Sequence, residues 1–304
     1  MKRALQIAGL AVALLFAAAI IYFTIEEAEP HVGTIEKKVV SKDGTTIAIE
    51  QSGSGPAVIL VAAALADHGG TTKLATHLSR GFTVINYDRR GRGKSTDTQP
   101  YAVEREVEDI EALIDSTAGP AFVFGSSSGA VLALEAASRL GAKIPQLFLY
   151  EPPFILDNSH PPMPENFSRQ ITDLVSANRR NDAVKLFFAK GMGIPDFIVT
   201  LMRWLMPGWA KMAAIAHTIP YDLAILEGTQ SGKPLPMNRW NGTTAKTMVM
   251  VGSKSEPFFH AWAKSLPGIL PKAEYKSLEG QDHSTILMAP NTIADAAETF
   301  FKAK

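Results

Sequence analysis

Cysteine is absent from this 304-residue chain, which excludes disulfides, thiolate catalysis and cysteine-ligated zinc. Charge imbalance is absent too. Lys plus Arg and Asp plus Glu each number 30, so the basic excess that would suggest a nucleic-acid partner is missing. No H-E-x-x-H pair, metal-spaced carboxylate cluster or dinucleotide fingerprint occurs, and neither a metal nor an organic cofactor is expected. Internal repeats and low-complexity tracts are likewise missing. What remains is a chain with 46% hydrophobic residues, enough for one large core and an inserted subdomain.

One long hydrophobic run stands apart. Lys2 and Arg3 precede an apolar stretch from Ala4 to Phe23, broken only by Gln6 and Gly9. Its length suits a membrane-spanning helix, and it has no polar face that would mark a core helix. Glu26, Glu27 and Glu29 follow, so the positive side lies N-terminal and the body is expected outside the cytoplasm. Residues 1–24 are therefore read as a signal anchor and 25–32 as a tether. The alternative is secretion after cleavage near Ala17-Ala18-Ala19. Four further apolar residues, Ile20 to Phe23, favour the uncleaved anchor.

From residue 33 the pattern changes. Residues 33–40 and 45–50 flank Asp43-Gly44, a two-residue hairpin signal. Strands are then expected at 58–61, 82–87, 121–124 and 146–150, separated by helices at 71–80, 102–116 and 128–140. The alternation resumes with strands 247–251 and 274–278 and helices 257–265 and 291–302. This predicts an α/β fold: a mostly parallel sheet, opened by a hairpin, with helices on both faces. Residues 154–240 break the alternation and read as an inserted helical cap, with a helix near 182–190. The core is then 33–153 together with 241–304.

The most informative stretch is Gly125-Ser126-Ser127-Ser128-Gly129, between an apolar strand and an Ala/Leu-rich helix. A strand, a sharp turn and a helix would lift Ser127 clear of the sheet. Bulky side chains two places either side would collide, so both must be minimal. The helix that follows directs N–H groups toward the serine, where negative charge can be held. A serine hydroxyl needs a base within hydrogen-bond reach, and the chain offers seven histidines. His31 falls in the tether, His77 and His260 on helices, and His160 and His217 in the cap. His283 lies in a polar loop after the last strand.

With these elements in order, residues 33–304 resemble the α/β-hydrolase superfamily. Tyr87-Asp88-Arg89-Arg90-Gly91-Arg92-Gly93-Lys94-Ser95 is similar to its D-x-x-G-x-G-x-S loop, Gly125–Gly129 to its nucleophile elbow, and Gly280-Gln281-Asp282-His283 to its histidine loop. Gly93-Lys94-Ser95 is not a phosphate-binding loop, because Asp88 stands where that motif needs glycine. Arg89, Arg90 and Arg92 are instead expected to fix the loop by hydrogen bonds.

The resemblance implies Ser127 as nucleophile and, from the order serine, acid, histidine, His283 as base. His68, on a loop before the nucleophile, is ranked as a pocket residue. The acid departs from the pattern: Ser255 stands where an Asp is expected. Glu256, one residue late, and Glu151, at the end of the strand beside the nucleophile strand, are the candidates. We take Glu151 ahead of Glu256; its alternative role is a structural carboxylate at the cap hinge. The resemblance also implies an oxyanion hole from the Ala64 and Ser128 N–H groups, although Ala62-Ala63-Ala64-Leu65 replaces the usual His-Gly start.

The cap segment is rich in Met and aromatic residues, among them Phe187, Phe188, Phe197, Trp204, Trp209 and Met212. Most should pack the cap; Trp204 and Trp209 are the candidate substrate contacts, suited to a small hydrophobic ester. The expected activity is that of a serine carboxylesterase acting through an acyl-enzyme without a cofactor. The alternatives are a non-catalytic ligand-binding member of the fold, or another serine-dependent reaction such as carbon–carbon hydrolysis or cofactor-free peroxidation.

Overall fold

A computed structural model describes residues 33–235 and 238–303. The sheet opens with β1 (Ile35–Val40) and β2 (Thr46–Ser52), antiparallel, with Val40 opposite Thr46. The connection is residues 41–45 rather than the two-residue turn expected. Asp43 Oδ1 accepts the Thr45 N–H at 3.0 Å, and this side-chain turn widens the link.

Strands β3 (Ala57–Val61), β4 (Thr83–Tyr87), β5 (Phe122–Ser126), β6 (Gln146–Tyr150), β7 (Lys246–Gly252) and β8 (Ala273–Leu278) complete an eight-stranded sheet. Its order is β1-β2-β4-β3-β5-β6-β7-β8, and every pairing beyond β2–β4 is parallel. The central strands are continuous apolar runs because both of their faces are covered.

Helix α1 (Thr72–Leu78) precedes β4, α2 (Val103–Asp115) precedes β5, and α3 (Ser128–Leu140) precedes β6. In residues 163–219 come α4 (Phe167–Ser176), α5 (Arg180–Leu186), α6 (Asp196–Leu205) and α7 (Trp209–Ile215), followed by α8 (Ile219–Ile225). Then α9 (Pro257–Ser265) links β7 to β8, and α10 (Thr285–Met288) and α11 (Pro290–Lys302) end the chain. Strand alternation divides the side chains between two cores. Val58 and Leu60 join Leu74, Leu78, Phe300 and Phe301 on one face. Ile59 and Val61 join Ile110, Val131, Leu134 and Trp262 on the other.

The described residues fall into two compact units, 33–162 with 220–303, and 163–219. The second is narrower than the segment 154–240 in which the alternation stops. Phe154, Ile225, Leu226, Leu235 and Trp240 are buried in the core of the sheet unit. Phe154 stacks on Trp240 at 5.6 Å, and Trp240 Nε1–H donates to Glu135 Oε1 at 2.9 Å. Irregular chain can thus carry core residues that periodicity does not show. Within residues 163–219, Phe167, Ile171, Val184, Val199 and Trp209 are buried. Among the described residues no helix is long and apolar enough to cross a membrane. The expected span at 4–23 and the tether at 25–32 lie outside the described residues.

Candidate active site

Ser127 sits between the last residue of β5 and the first of α3 at φ 53°, ψ −126°. Positive φ in a residue with a Cβ costs on the order of 1–3 kcal/mol and persists only where neighbours impose it. Here they do. The Ser127 N–H donates to Tyr150 O at 2.9 Å, and the Ser127 carbonyl accepts from Ala130 N at 3.0 Å. A Cβ at Gly125 would lie 2.5 Å from Gly129 O, and one at Gly129 would lie 2.4 Å from Val61 O. The second glycine therefore serves a contact the sequence did not suggest: it lets α3 press against the end of β3.

Register places Tyr150 beside Ser126, so Glu151 lies next to Ser127 at the carboxyl ends of adjacent strands. Ligands of open α/β sheets bind at this edge. Glu151 is fully buried, at φ 48°. Its Oε1 accepts from Gly252 N at 2.7 Å and from Ser255 Oγ at 2.5 Å. Its Oε2 lies 2.7 Å from His283 Nδ1. With Nδ1–H donated to a carboxylate, Nε2 of the neutral imidazole is left as acceptor.

The His283 loop is clamped from several sides. Tyr150 Oη–H donates to Asp282 O at 2.5 Å, Lys254 N to Gln281 O at 2.8 Å, and Gly280 N to Ser253 Oγ at 2.8 Å. The Phe259 ring stacks on the imidazole at 5.0 Å. Of the two candidate acids, Glu151 is the one that His283 touches. Glu256 is exposed at the start of α9.

The loop after β3 carries the other assigned groups. Leu65 adopts φ 57°, and the Ala64 N–H donates to no backbone carbonyl among the described residues. Ser128 opens α3, where the first N–H groups have no intrahelical acceptor. The arginines of the loop after β4 are buried and do fix loops, as their motif suggests. Arg90 forks onto Asp109 at 2.8 Å and reaches Asp43 at 2.8 Å. Arg89 forks onto Glu106 at 2.7 Å. Arg89 Nη1 donates to Ala62 O at 3.3 Å, while Arg92 Nη1 donates to Ala63 O at 2.7 Å and to Ala66 O at 3.1 Å.

Arg89 and Arg92 converge on Asp222 of α8, a residue that no sequence motif marks. Arg89 Nη1 lies 2.7 Å from its Oδ1 and Arg92 Nη2 lies 2.6 Å from its Oδ2. Ser128 Oγ–H donates to Oδ1 at 2.8 Å. Burial alone would raise this carboxyl, but Arg92 and Arg89 hold it below the ordinary carboxylate range. The available signal was one acid inside the apolar run Ile219-Pro220-Tyr221-Asp222-Leu223-Ala224-Ile225.

His68 is differently engaged. Its Nδ1 lies 2.7 Å from Asp88 and its Nε2 lies 3.3 Å from Glu50; none of its hydrogen bonds goes to Ser127, Glu151 or His283. The Asp88 hydrogen bond outweighs desolvation and raises His68 to about 9. It lines a cavity of about 420 Å³ with Glu36, Lys37, Lys38, Glu50 and Lys94, a charged setting unlike the apolar pocket expected. Trp209 is buried, with Nε1–H donating to Asn181 at 2.8 Å. Trp204 is 77% exposed on α6.

Among the described residues, two groups bring potential metal-ligand atoms within 4.8 Å of one another: Asp67, His68 and Asp88, and His77, Asp295 and Glu298. In the first, Asp67 and Asp88 already accept backbone N–H groups and Asp88 holds His68. In the second, His77 meets Asp295 at 2.8 Å while Glu298 pairs with Lys302. Both sets read as hydrogen-bonded structure.

The profile described as the alpha/beta hydrolase family matches residues 58–296. The chain belongs to this family. It is 45% identical to a solved alpha/beta hydrolase from Sphaerobacter thermophilus DSM 20745, covering 88% of this chain and 100% of that one, with a TM-score of 0.80. An uncharacterized hydrolase, YraK, of Bacillus subtilis is 32% identical over 50% of this chain and 57% of its own length. The lipase LipV of Mycobacterium tuberculosis is 32% identical over 35% of this chain and 41% of its own. The matches to these curated hydrolases thus span little more than half of their lengths, or less.

Proposed function

We propose that this protein is a serine hydrolase that cleaves an ester, or a related acyl bond, of a small hydrophobic substrate. The observation that carries the proposal is the 2.7 Å bond from the buried Glu151 to His283, beside the strand end that lifts Ser127. Glu151 holds the imidazole in one tautomer and offsets the charge it gains, the task of the third member of a triad. Ser127 Oγ bonds to the acyl carbon and gives its proton to His283 Nε2. The Ala64 and Ser128 N–H groups hold the resulting oxyanion. His283 passes the proton to the departing alcohol as the C–O bond breaks. Water then gives a proton to the same nitrogen and attacks the acyl carbon; as the bond to Ser127 Oγ breaks, His283 returns the proton to that oxygen and the acid leaves.

An anchor at residues 4–23 that holds the catalytic part outside the cytoplasm belongs to this reading. The test is labelling with a fluorophosphonate. The wild-type protein is expected to react at one serine and Ser127→Ala to stay unlabelled. A wild-type protein that does not react would support the ligand-binding alternative instead.

A further inference from the structure

We infer that Asp222 is a positioning residue for the oxyanion hole, a buried carboxylate that locks the helix bearing one amide to the loop bearing the other. The inference rests on the serine-hydrolase reading and deepens it. On the helix side, Ser128 Oγ–H donates to Asp222, and Ser128 is also the residue whose N–H is assigned to the oxyanion. On the loop side, Arg89 and Arg92 bind Asp222 and extend onward to the carbonyls of Ala62, Ala63 and Ala66.

The Arg92 contact matters most. The Ala63 carbonyl and the Ala64 N–H belong to one planar trans peptide unit and point in opposite directions. Holding Ala63 O at 2.7 Å from Arg92 therefore aims the Ala64 N–H the other way. Residues 62–65 contain no glycine, and Leu65 must hold φ 57°. The path is thus imposed by grips on carbonyl oxygens, and the arginines that make them are themselves aligned by Asp222.

Charge balance suits the role. A lone carboxylate behind an oxyanion hole would oppose the developing charge. Asp222 is instead covered by two guanidinium groups, and Glu106 neutralises the second cation. The group as a whole presents no net negative field, and its members are almost fully buried, so their geometry is held without competition from water.

The test compares the full-length protein with Asp222→Asn and Ser128→Ala on a p-nitrophenyl ester. Competent sites are first counted by exhaustive fluorophosphonate titration. Per titrated site, kcat is expected to fall about 100-fold in Asp222→Asn and about tenfold in Ser128→Ala, with KM within about twofold. Affinity for a trifluoromethyl ketone, which forms a tetrahedral adduct, should fall in parallel with kcat/KM. A purely structural role would lower the titrated fraction and leave kcat per site unchanged. Ser128→Ala keeps Asp222 paired with both arginines, so it decides the matter if Asp222→Asn does not fold. Unchanged kcat per site or unchanged ketone affinity in Ser128→Ala overturns the inference. A wild-type protein that is unlabelled at Ser127 overturns the hydrolase reading itself, a separate result seen before any variant is compared.

Discussion

The Ser255 hydroxyl donates to Oε1 of Glu151, from the loop after β7 to the residue that follows β6. Where the family pattern leads one to expect an acid after β7, this chain has a serine that holds an acid supplied by the neighbouring strand. The remaining Glu151 oxygen is thereby turned to His283.

Removal of the acid should be severe and local. Glu151→Gln is expected to lower kcat about 10⁴-fold, because an amide donor can support the wrong histidine tautomer. Glu256→Gln, at an exposed position, should stay within about twofold of wild type. Steady-state ester hydrolysis with matched thermal melts checks both; equal losses would remove Glu151 from the triad.

Moving the acid should succeed better than losing it. Ser255→Asp alone puts two carboxylates in one buried site, and Glu151→Ser alone leaves His283 without an acid. The double variant Glu151→Ser/Ser255→Asp restores one carboxylate on the other strand. It should recover at least about tenfold in kcat over the worse single variant, a non-additivity expected for groups in direct contact. A double variant that shows the summed losses would contradict the exchange.

Gly252 tests how closely the histidine loop must approach. A Cβ there would lie 2.4 Å from backbone atoms of Gln281. Gly252→Ala should cost about 1–3 kcal/mol of stability, the usual penalty of overpacking. It should also reduce kcat, since the same residue donates its N–H to Glu151. Urea unfolding alongside kinetics separates the two effects.

His68 predicts a loss of stability on the alkaline side. Its folded-state pKa is raised from 6.5 to about 9 by Asp88, so the protonated pair contributes fully below about pH 6.5. That contribution is lost as pH rises through about 9. Allowing for solvent screening of a partly exposed ring, it amounts to about 1–2 kcal/mol. Urea midpoints at pH 6, 8 and 10 should decline in the wild type and decline less in His68→Gln. Parallel declines would show that another group is responsible.

Residues 4–23 are expected to hold the chain in a membrane. After ultracentrifugation of lysed cells the full chain should appear in the pellet, and a chain starting at residue 33 in the supernatant. N-terminal sequencing of the recovered protein distinguishes an anchor from a segment cleaved near Ala19.

Much of the fold was legible because its causes are local. Apolar runs of strand length and amphipathic helical spacing need only neighbouring residues, and α3, β6 and α9 lie where periodicity puts them. The serine turn was legible for the same reason: its apex and the glycine at either side fall within five residues, directly after an apolar strand. Tertiary structure alone decided which acid His283 meets, what Ser255 does, and that Asp222 ties Ser128 to the loop after β3. Those contacts join residues 132, 104 and 94 positions apart. Spacing along the chain carries no information about such pairs. They arise when parallel strands lie side by side and bring their carboxyl ends, with the loops that follow, to one edge of the sheet.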